Sequence, residues 1–351
     1  MGFKGKHTSF VFTDFLHQCG GYAVIDGGFA TELEGHGADL NDPLWSAKCL
    51  LVSPHLVRRV HLDYLNAGAS IIITGSYQAT IQGFEAQGLS EEEGENLIRR
   101  SVELAREARD IYYDRCTIDS SDFIRDGRYW RRPILIAASV GSYGAYLADG
   151  SEYSGDYGDT VTVETLKDFH RRRVKILVDA GADIIAFETI PNKLEAQVFS
   201  YSIYVRLHYS SLDEEGIDIP AWLSFSCRDE SKVASGDSIL ECASIAESCK
   251  QVVAVGVNCT APRFIHGLVS SITKVTSKPV LAYPNSGETY DPETKTWKKI
   301  CGVVHEDFVS YIGKWREAGA SLFGGCCRTT PDTVRGIAKA LSGKASEDDD
   351  K

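Results

Sequence analysis

The sequence predicts one closed (β/α)₈ barrel, and three observations carry that prediction. Eight short β-branched or apolar runs alternate with segments of helical period. Three similar phrases, Asn66-Ala67-Gly68-Ala69, Asp179-Ala180-Gly181-Ala182 and Glu317-Ala318-Gly319-Ala320, each end a helix in glycine and enter a strand. That is the αβ half of a βαβ unit. No long linker or low-complexity stretch interrupts the 351 residues, so the units are expected to close on one another. An open doubly wound sheet would carry Gly-x-Gly-x-x-Gly after its first strand, and Asp26-Gly27-Gly28-Phe29-Ala30-Thr31 does not match.

In chain order the strand runs are Tyr22–Asp26, Ser70–Thr74, Ile134–Val140, Asp183–Glu188, Ala221–Ser226, Val252–Asn258, Pro279–Tyr283 and Ser321–Gly324. Helix starts are legible between them. Ser53-Pro54 and Thr330-Pro331 read as N-caps with proline in the first turn. Ser90 with Glu93, and Asn192 with Glu195, have capping-box spacing. Residues 1–20 form an N-terminal extension or helix, 21–342 the single barrel domain, and 343–351 an acidic tail expected to be disordered. The longest connection without a period is Gly141–Thr160, with four tyrosines and four acidic residues. A connection this long is either a lid or binding loop, or an ordered surface excursion pinned by its tyrosines.

Composition narrows the function. Against 37 basic residues stand 49 acidic ones, a net charge of −12 and a pI near 5.3, so nucleic acid and anionic membranes are repelled at long range. No apolar stretch approaches the ~18 residues of a membrane span. The start, Met1-Gly2-Phe3-Lys4-Gly5-Lys6, has neither a signal-peptide core nor the Ser/Thr of a myristoylation motif. The expectation is a soluble cytoplasmic protein with small-molecule substrates and without a protein partner.

Ten cysteines are many for a chain that lacks the marks of a secreted disulfide scaffold. Most read as small buried hydrophobes. Cys259 follows the sixth strand in Gly256-Val257-Asn258-Cys259, and Cys326-Cys327 follow the eighth in Gly324-Gly325-Cys326-Cys327-Arg328. In a barrel both strand ends face the rim where chemistry is done. Adjacent strand residues point to opposite faces, so both Cys326 and Cys327 can converge only if the chain leaves strand geometry, a freedom Gly324-Gly325 supplies. Three thiolates with an open fourth position form a catalytic-type zinc site. Three reduced core thiols, or a vicinal disulfide between Cys326 and Cys327, fit the same spacing.

Such a site favours a particular chemistry. Zn²⁺ with three thiolates carries a net charge of −1 by formal count, a poor Lewis acid for making hydroxide. It suits another soft ligand, because a coordinated thiol is deprotonated outright. A free thiol of pKa ~8.5 is only a few per cent ionised at neutral pH. The reaction class this favours is thiolate attack on an electrophilic carbon, above all alkyl transfer.

At this point the motifs VIDGGFATELE (24–34), DPLWSA (42–47), SYQATIQGF (76–84), GSYGAYLADGSEYSGDYG (141–158), FETIPNKLEA (187–196), GVNC (256–259), YPNSGE (283–288) and GGCCRTTP (324–331) together resemble the homocysteine S-methyltransferases, most closely the plant type. The resemblance runs from about Gly21 to about Leu341. It implies a (β/α)₈ barrel with one zinc per chain bound by Cys259, Cys326 and Cys327, the three that strand-end reasoning selects. It also implies methyl transfer to L-homocysteine, giving methionine, from S-methylmethionine or, less well, S-adenosylmethionine.

By the same resemblance Asp26 and Glu188, ending the first and fourth strands, hold the homocysteine ammonium; a capping Asp and a buried, ion-paired Glu are the structural alternatives. The amides of Gly27, Gly28 and Phe29 would hold the substrate carboxylate. Trp45 and Tyr77 match aromatic positions near the donor, where a ring face attracts a sulfonium. Asn258 and Ser286 are candidates for orienting substrate or zinc ligands, and Arg328 for pinning its loop. A glycine at 75, smaller than the family often has, would widen the donor pocket, and no donor contact maps onto the variable stretch 228–237. A betaine-type donor fits the aromatic reasoning equally. The rival readings are a non-catalytic zinc- or thiol-binding barrel and a zinc hydrolase; the latter needs histidines at strand ends, and none of the nine histidines immediately follows a predicted strand.

Overall fold

The computed structural model describes residues 8–118, 124–125, 128–129, 132–206, 219–291, 296–298 and 305–343. All eight predicted runs are strands: β1 (Ala23–Val24), β2 (Ile71–Ile73), β3 (Leu135–Gly141), β4 (Ile184–Ile190), β5 (Ala221–Phe225), β6 (Val252–Asn258), β7 (Val280–Tyr283) and β8 (Ala320–Phe323). They form one sheet in the order β1-β8-β7-β6-β5-β4-β3-β2, and each pairing is parallel. The two outer strands meet through a parallel bridge between Ile25 and Ile71. There Ser70 N–H donates to Val24 O (2.7 Å) and Asp26 N–H to Ile71 O (3.0 Å). The ring is thereby closed, as predicted.

Helix α1 (Thr8–Gln18) precedes the ring. Outside it lie α2 (Pro54–Ala67), α3 (Glu91–Ile118), α4 (Val163–Asp179), α5 (Lys193–Arg206), α6 (Ile239–Ser248), α7 (Pro262–Ile272), α8 (His305–Glu317) and α9 (Pro331–Ser342), one after each strand. The three Ala-Gly-Ala phrases all behave as expected: Gly68, Gly181 and Gly319 have φ of 112°, 87° and 110°, the left-handed turn that ends a helix. The capping boxes at Ser90–Glu93 and at Thr330 are formed, the latter with Thr333. Ser53 takes the N-cap position before Pro54, yet its hydroxyl makes no cap bond. Asn192 accepts the Glu195 N–H at 2.8 Å; the Glu195 carboxylate does not return to the cap but turns into the interior, where other donors claim it.

Strand side chains divide by period two. Ile25, Ile71, Ala137, Ile184, Ala186, Trp222, Leu281 and Leu322 pack in the barrel interior, while Val24, Ile72, Ile136, Ile185, Leu223, Val255 and Phe323 pack under the helices. Strands buried on both faces read as continuous apolar runs, which is why they were visible in sequence. The interior cluster also contains Phe12, Phe15 and Leu16 of α1, so that helix plugs one mouth of the barrel. Each such burial contributes about 1.5–3 kcal/mol. The other mouth, at the strand C-termini, is left for the site. Among the described residues no helix is long and apolar enough to cross a membrane. Past Gly343 the acidic tail lies outside the described residues, as does Cys301.

Candidate active site

The strand C-termini and their loops enclose a cavity of about 740 Å³. Asp26 follows β1, Glu188 lies in β4, Asn258 ends β6 with Cys259 beyond it, Tyr283 ends β7, and Cys326 and Cys327 follow β8; all of them line this space. Residues up to 301 positions apart thus share one wall because parallel strands present the same end to the same rim.

The three cysteines converge. Cys259 Sγ and Cys327 Sγ are 3.6 Å apart, and one sulfur from each of Cys259, Cys326 and Cys327 lies within 4.8 Å of the others. Zinc–sulfur bonds of about 2.3 Å in a tetrahedral shell place the sulfurs about 3.8 Å apart, so the trio is spaced to hold that metal. The required departure from strand geometry is present. Gly325 N–H donates to Asp26 O (2.9 Å), Cys326 N–H to Pro284 O (2.8 Å) and Thr329 N–H to Cys326 O (3.2 Å), a turn that brings both neighbouring thiols to one side. Hydrogen bonds from the other two sulfurs hold the Cys327 thiol well below the usual range; both sulfur contacts and burial push Cys259 up, and at Cys326 a lowering contact from Cys259 is outweighed by Cys327 and burial. Three sulfurs this close are a donor set that a divalent cation would complete. All nine described cysteines are free thiols.

Two buried carboxyls face the same cavity. Burial holds Asp26 well above the ordinary carboxylate range, offset in part by the Ile73 N–H that donates to Asp26 Oδ2 at 2.8 Å. Burial likewise pushes Glu188 up to about 8, with Ser139 and Tyr283 hydroxyls donating to it. The single basic residue lining the cavity among the described residues is Arg328, whose Nε is already committed to Glu288 at 2.9 Å. Both acids therefore lack a cation within the protein.

Trp45 and Tyr77 stand edge to face, 6.4 Å between centroids, on the cavity wall. The Gly28 amide is taken: it donates to Thr329 Oγ1 at 3.1 Å. Gly27 and Phe29 line the cavity beside it. Asn258 is fully buried and rigidly tied, accepting the Thr189 N–H (2.8 Å) and donating to Thr189 Oγ1 (2.8 Å). Ser286 is not among the lining residues; its N–H donates to Cys327 O (3.1 Å), so it supports the cysteine turn from outside. Gly75 lines the cavity and bears on its width through Phe29. A Cβ there would lie 2.7 Å from Phe29 Cζ, so the missing side chain makes room for the Phe29 ring. The stretch 228–237 forms a brace outside the lining residues, with Ser235 N–H donating to Pro191 O (2.9 Å).

A match to the family model described as homocysteine S-methyltransferase spans residues 23–341. The chain belongs to this family. The methyltransferase is 65% identical over 344 residues to homocysteine S-methyltransferase 3 of Arabidopsis thaliana, covering 98% of this chain and 96% of that one. It is 66% identical over 331 residues to the selenocysteine methyltransferase of Astragalus bisulcatus, covering 94% and 95%. Among solved structures it is similar to the metallated form of the homocysteine methyltransferase MmuM from Escherichia coli, with a TM-score of 0.75 and 39% identity over 90% of this chain and 95% of that one.

Some lining residues of the methyltransferase, Ala148 and Thr189 among them, carry no legible sequence signal. Trp45, Ala148, Thr189, Cys259 and Arg328 are the described non-glycine residues with positive φ, from 45° to 64°, and every one lines the cavity. Left-handed backbone of this kind costs on the order of 1–3 kcal/mol per residue and persists where the surroundings over-determine it. Glu152 and Tyr153, from the 141–160 connection, also reach the cavity. Their segment of tyrosines and acids marked a candidate lid; nothing in it singled out these two.

Proposed function

We propose that this methyltransferase moves a methyl group from a sulfonium donor, S-methylmethionine and less well S-adenosylmethionine, to the thiol of L-homocysteine, with zinc held by Cys259, Cys326 and Cys327. The observation that carries the reading is the convergence of three thiols with two cation-deficient carboxyls in one cavity. When bound, the metal supplies the Lewis acidity that keeps the acceptor thiol ionised at neutral pH. Asp26 and Glu188 receive the acceptor's ammonium, and the amides of Gly27 and Phe29 its carboxylate. Gly28, committed to Thr329, shapes the turn instead.

The bond that forms joins the acceptor sulfur to the methyl carbon, and the bond that breaks joins that carbon to the donor's S⁺. The leaving group is a neutral thioether, so no general acid is needed. Opposite charges are neutralised in the transition state, which a water-poor cavity favours. Trp45 and Tyr77 present ring faces to the donor cation. Beyond charge, the protein's work is alignment of two bound substrates.

Selenocysteine is a second acceptor to weigh, supported by relatives of that name at 66% and 64% identity. A betaine-type donor is the alternative on the donor side. Purified protein with homocysteine, each donor in turn, and zinc measured alongside tests the reading. Methionine formation from a sulfonium is expected; none from any sulfonium, with zinc loaded, would overturn it. Cytoplasmic placement, where thiols stay reduced, is part of the same proposal.

A further inference from the structure

We infer that Glu152 is the residue that selects the donor, its carboxylate and the rings beside it reading the sulfonium charge. This rests on the sulfonium reading above and adds a specificity-determining group to it. Glu152 lines the cavity and accepts a hydrogen bond from the Tyr77 hydroxyl at 3.1 Å. Through Tyr77 it joins Trp45, so carboxylate and rings form one wall. Among the described residues the one cation on the cavity wall, Arg328, is paired with Glu288.

Charge bookkeeping between the two substrates leaves it this task. Asp26 and Glu188 stand on the barrel rim and match the single ammonium of the acceptor. A sulfonium donor brings a further positive charge. Glu152 lies on the connection after β3, lining the cavity and bonded to the Tyr77 hydroxyl. The acceptor sulfur would be held at Cys259, Cys326 and Cys327 with zinc bound, and the donor's S⁺ would have to lie one methyl away from it. Glu152 shares one wall of the cavity with the Tyr77 and Trp45 rings and is the carboxylate the sulfonium meets.

The wall is built rather than draped. Helix Ser151–Ser154 packs so closely on helix Tyr143–Leu147 that a Cβ on Gly144 would lie 2.5 Å from the Glu152 nitrogen. Both flanks of the connection are tied to a buried carboxylate: Glu195 accepts the Tyr143 N–H (2.6 Å) and the Tyr157 hydroxyl (2.5 Å). A charge held this way is preorganised for its ligand.

The consequence is specific. Glu152 stabilises the charged donor more than the transition state, where that charge is vanishing, so it lowers donor KM without raising kcat. Steady-state kinetics of zinc-loaded wild type, Glu152→Gln and Glu152→Asp test this. In Glu152→Gln the KM for S-methylmethionine should rise about ten- to a hundredfold, with homocysteine KM and zinc content unchanged and kcat within about threefold. Glu152→Asp should restore part of the donor affinity. An unchanged donor KM, or a fall in kcat with both KM values moved alike, would overturn the inference while leaving methyl transfer in place. Wild type that turns over no sulfonium would instead overturn the reading beneath it.

Discussion

His170 Nε2 lies 2.8 Å from Glu195 Oε1, and neither side chain reaches solvent. Arg173, also buried, donates to His170 Nδ1 (2.9 Å) and to Gly141 O (2.6 Å). The same Glu195 receives Tyr143 and Tyr157. Helices α4 and α5 thus hold a polar cluster whose outward bonds all go to the connection that covers the cavity. Removing one partner of a buried pair typically costs about 3–5 kcal/mol. Glu195→Ala should lose stability on that scale and expose 141–158 to amide exchange. Full protection of that segment in the variant would show that the cluster does not anchor it.

Two buried histidines give the fold an acid limit. Burial pulls His61 down to about 3 and His170 down to about 4. Between those values and 6.5 the unfolded chain binds protons that the native one does not, so stability rises with pH there. The contribution is whole above about 6.5 and is lost as pH falls toward 4. Denaturant midpoints across pH 4–7 should show this slope, and His61→Phe should flatten it; an unaltered slope would remove His61 from the account.

Glu188 acts with the opposite sign. Its native value of about 8 lies above the unfolded one, so its contribution is present below about 4.5 and is lost as pH rises through 8. Glu188→Gln should therefore raise the Tm of unliganded protein at pH 9 by a few degrees, roughly 2–4 °C per kcal/mol. The same change should raise homocysteine KM at least about tenfold. A variant that is stabilised but binds homocysteine normally would separate Glu188 from the acceptor site.

Gly75 and Phe29 share one space, so Gly75→Ala should push the Phe29 ring into the cavity. The expected result is a higher KM for the acceptor with little change in zinc content. Wild-type kinetics would show that the ring yields elsewhere.

The barrel was legible because its strands are buried on both faces and its helices end in the same glycine phrase. Strand-end position alone selects Cys259, Cys326 and Cys327, since topology brings every strand C-terminus to one rim; Asp26 and Glu188 end strands too, but it is the family motifs that assign them to the acceptor. What sequence did not show depends on side chains choosing partners across that rim. Glu195 has capping-box spacing but is claimed by His170, Tyr143 and Tyr157. Ser286 sits in a recognisable motif, yet its amide props the cysteine turn and its hydroxyl stays out of the cavity lining. Glu152 lies in a segment without period, where neither helix nor strand spacing fixes direction.

The central claim is that Cys259, Cys326 and Cys327 hold one zinc on which methyl transfer depends. Zinc content and methionine formation, measured together for wild type and Cys327→Ser, test it most directly. The account predicts one zinc per chain and turnover in wild type, and loss of both in a folded Cys327→Ser. Stoichiometric zinc retained in that variant, or undiminished turnover after zinc is stripped from wild type, would contradict it.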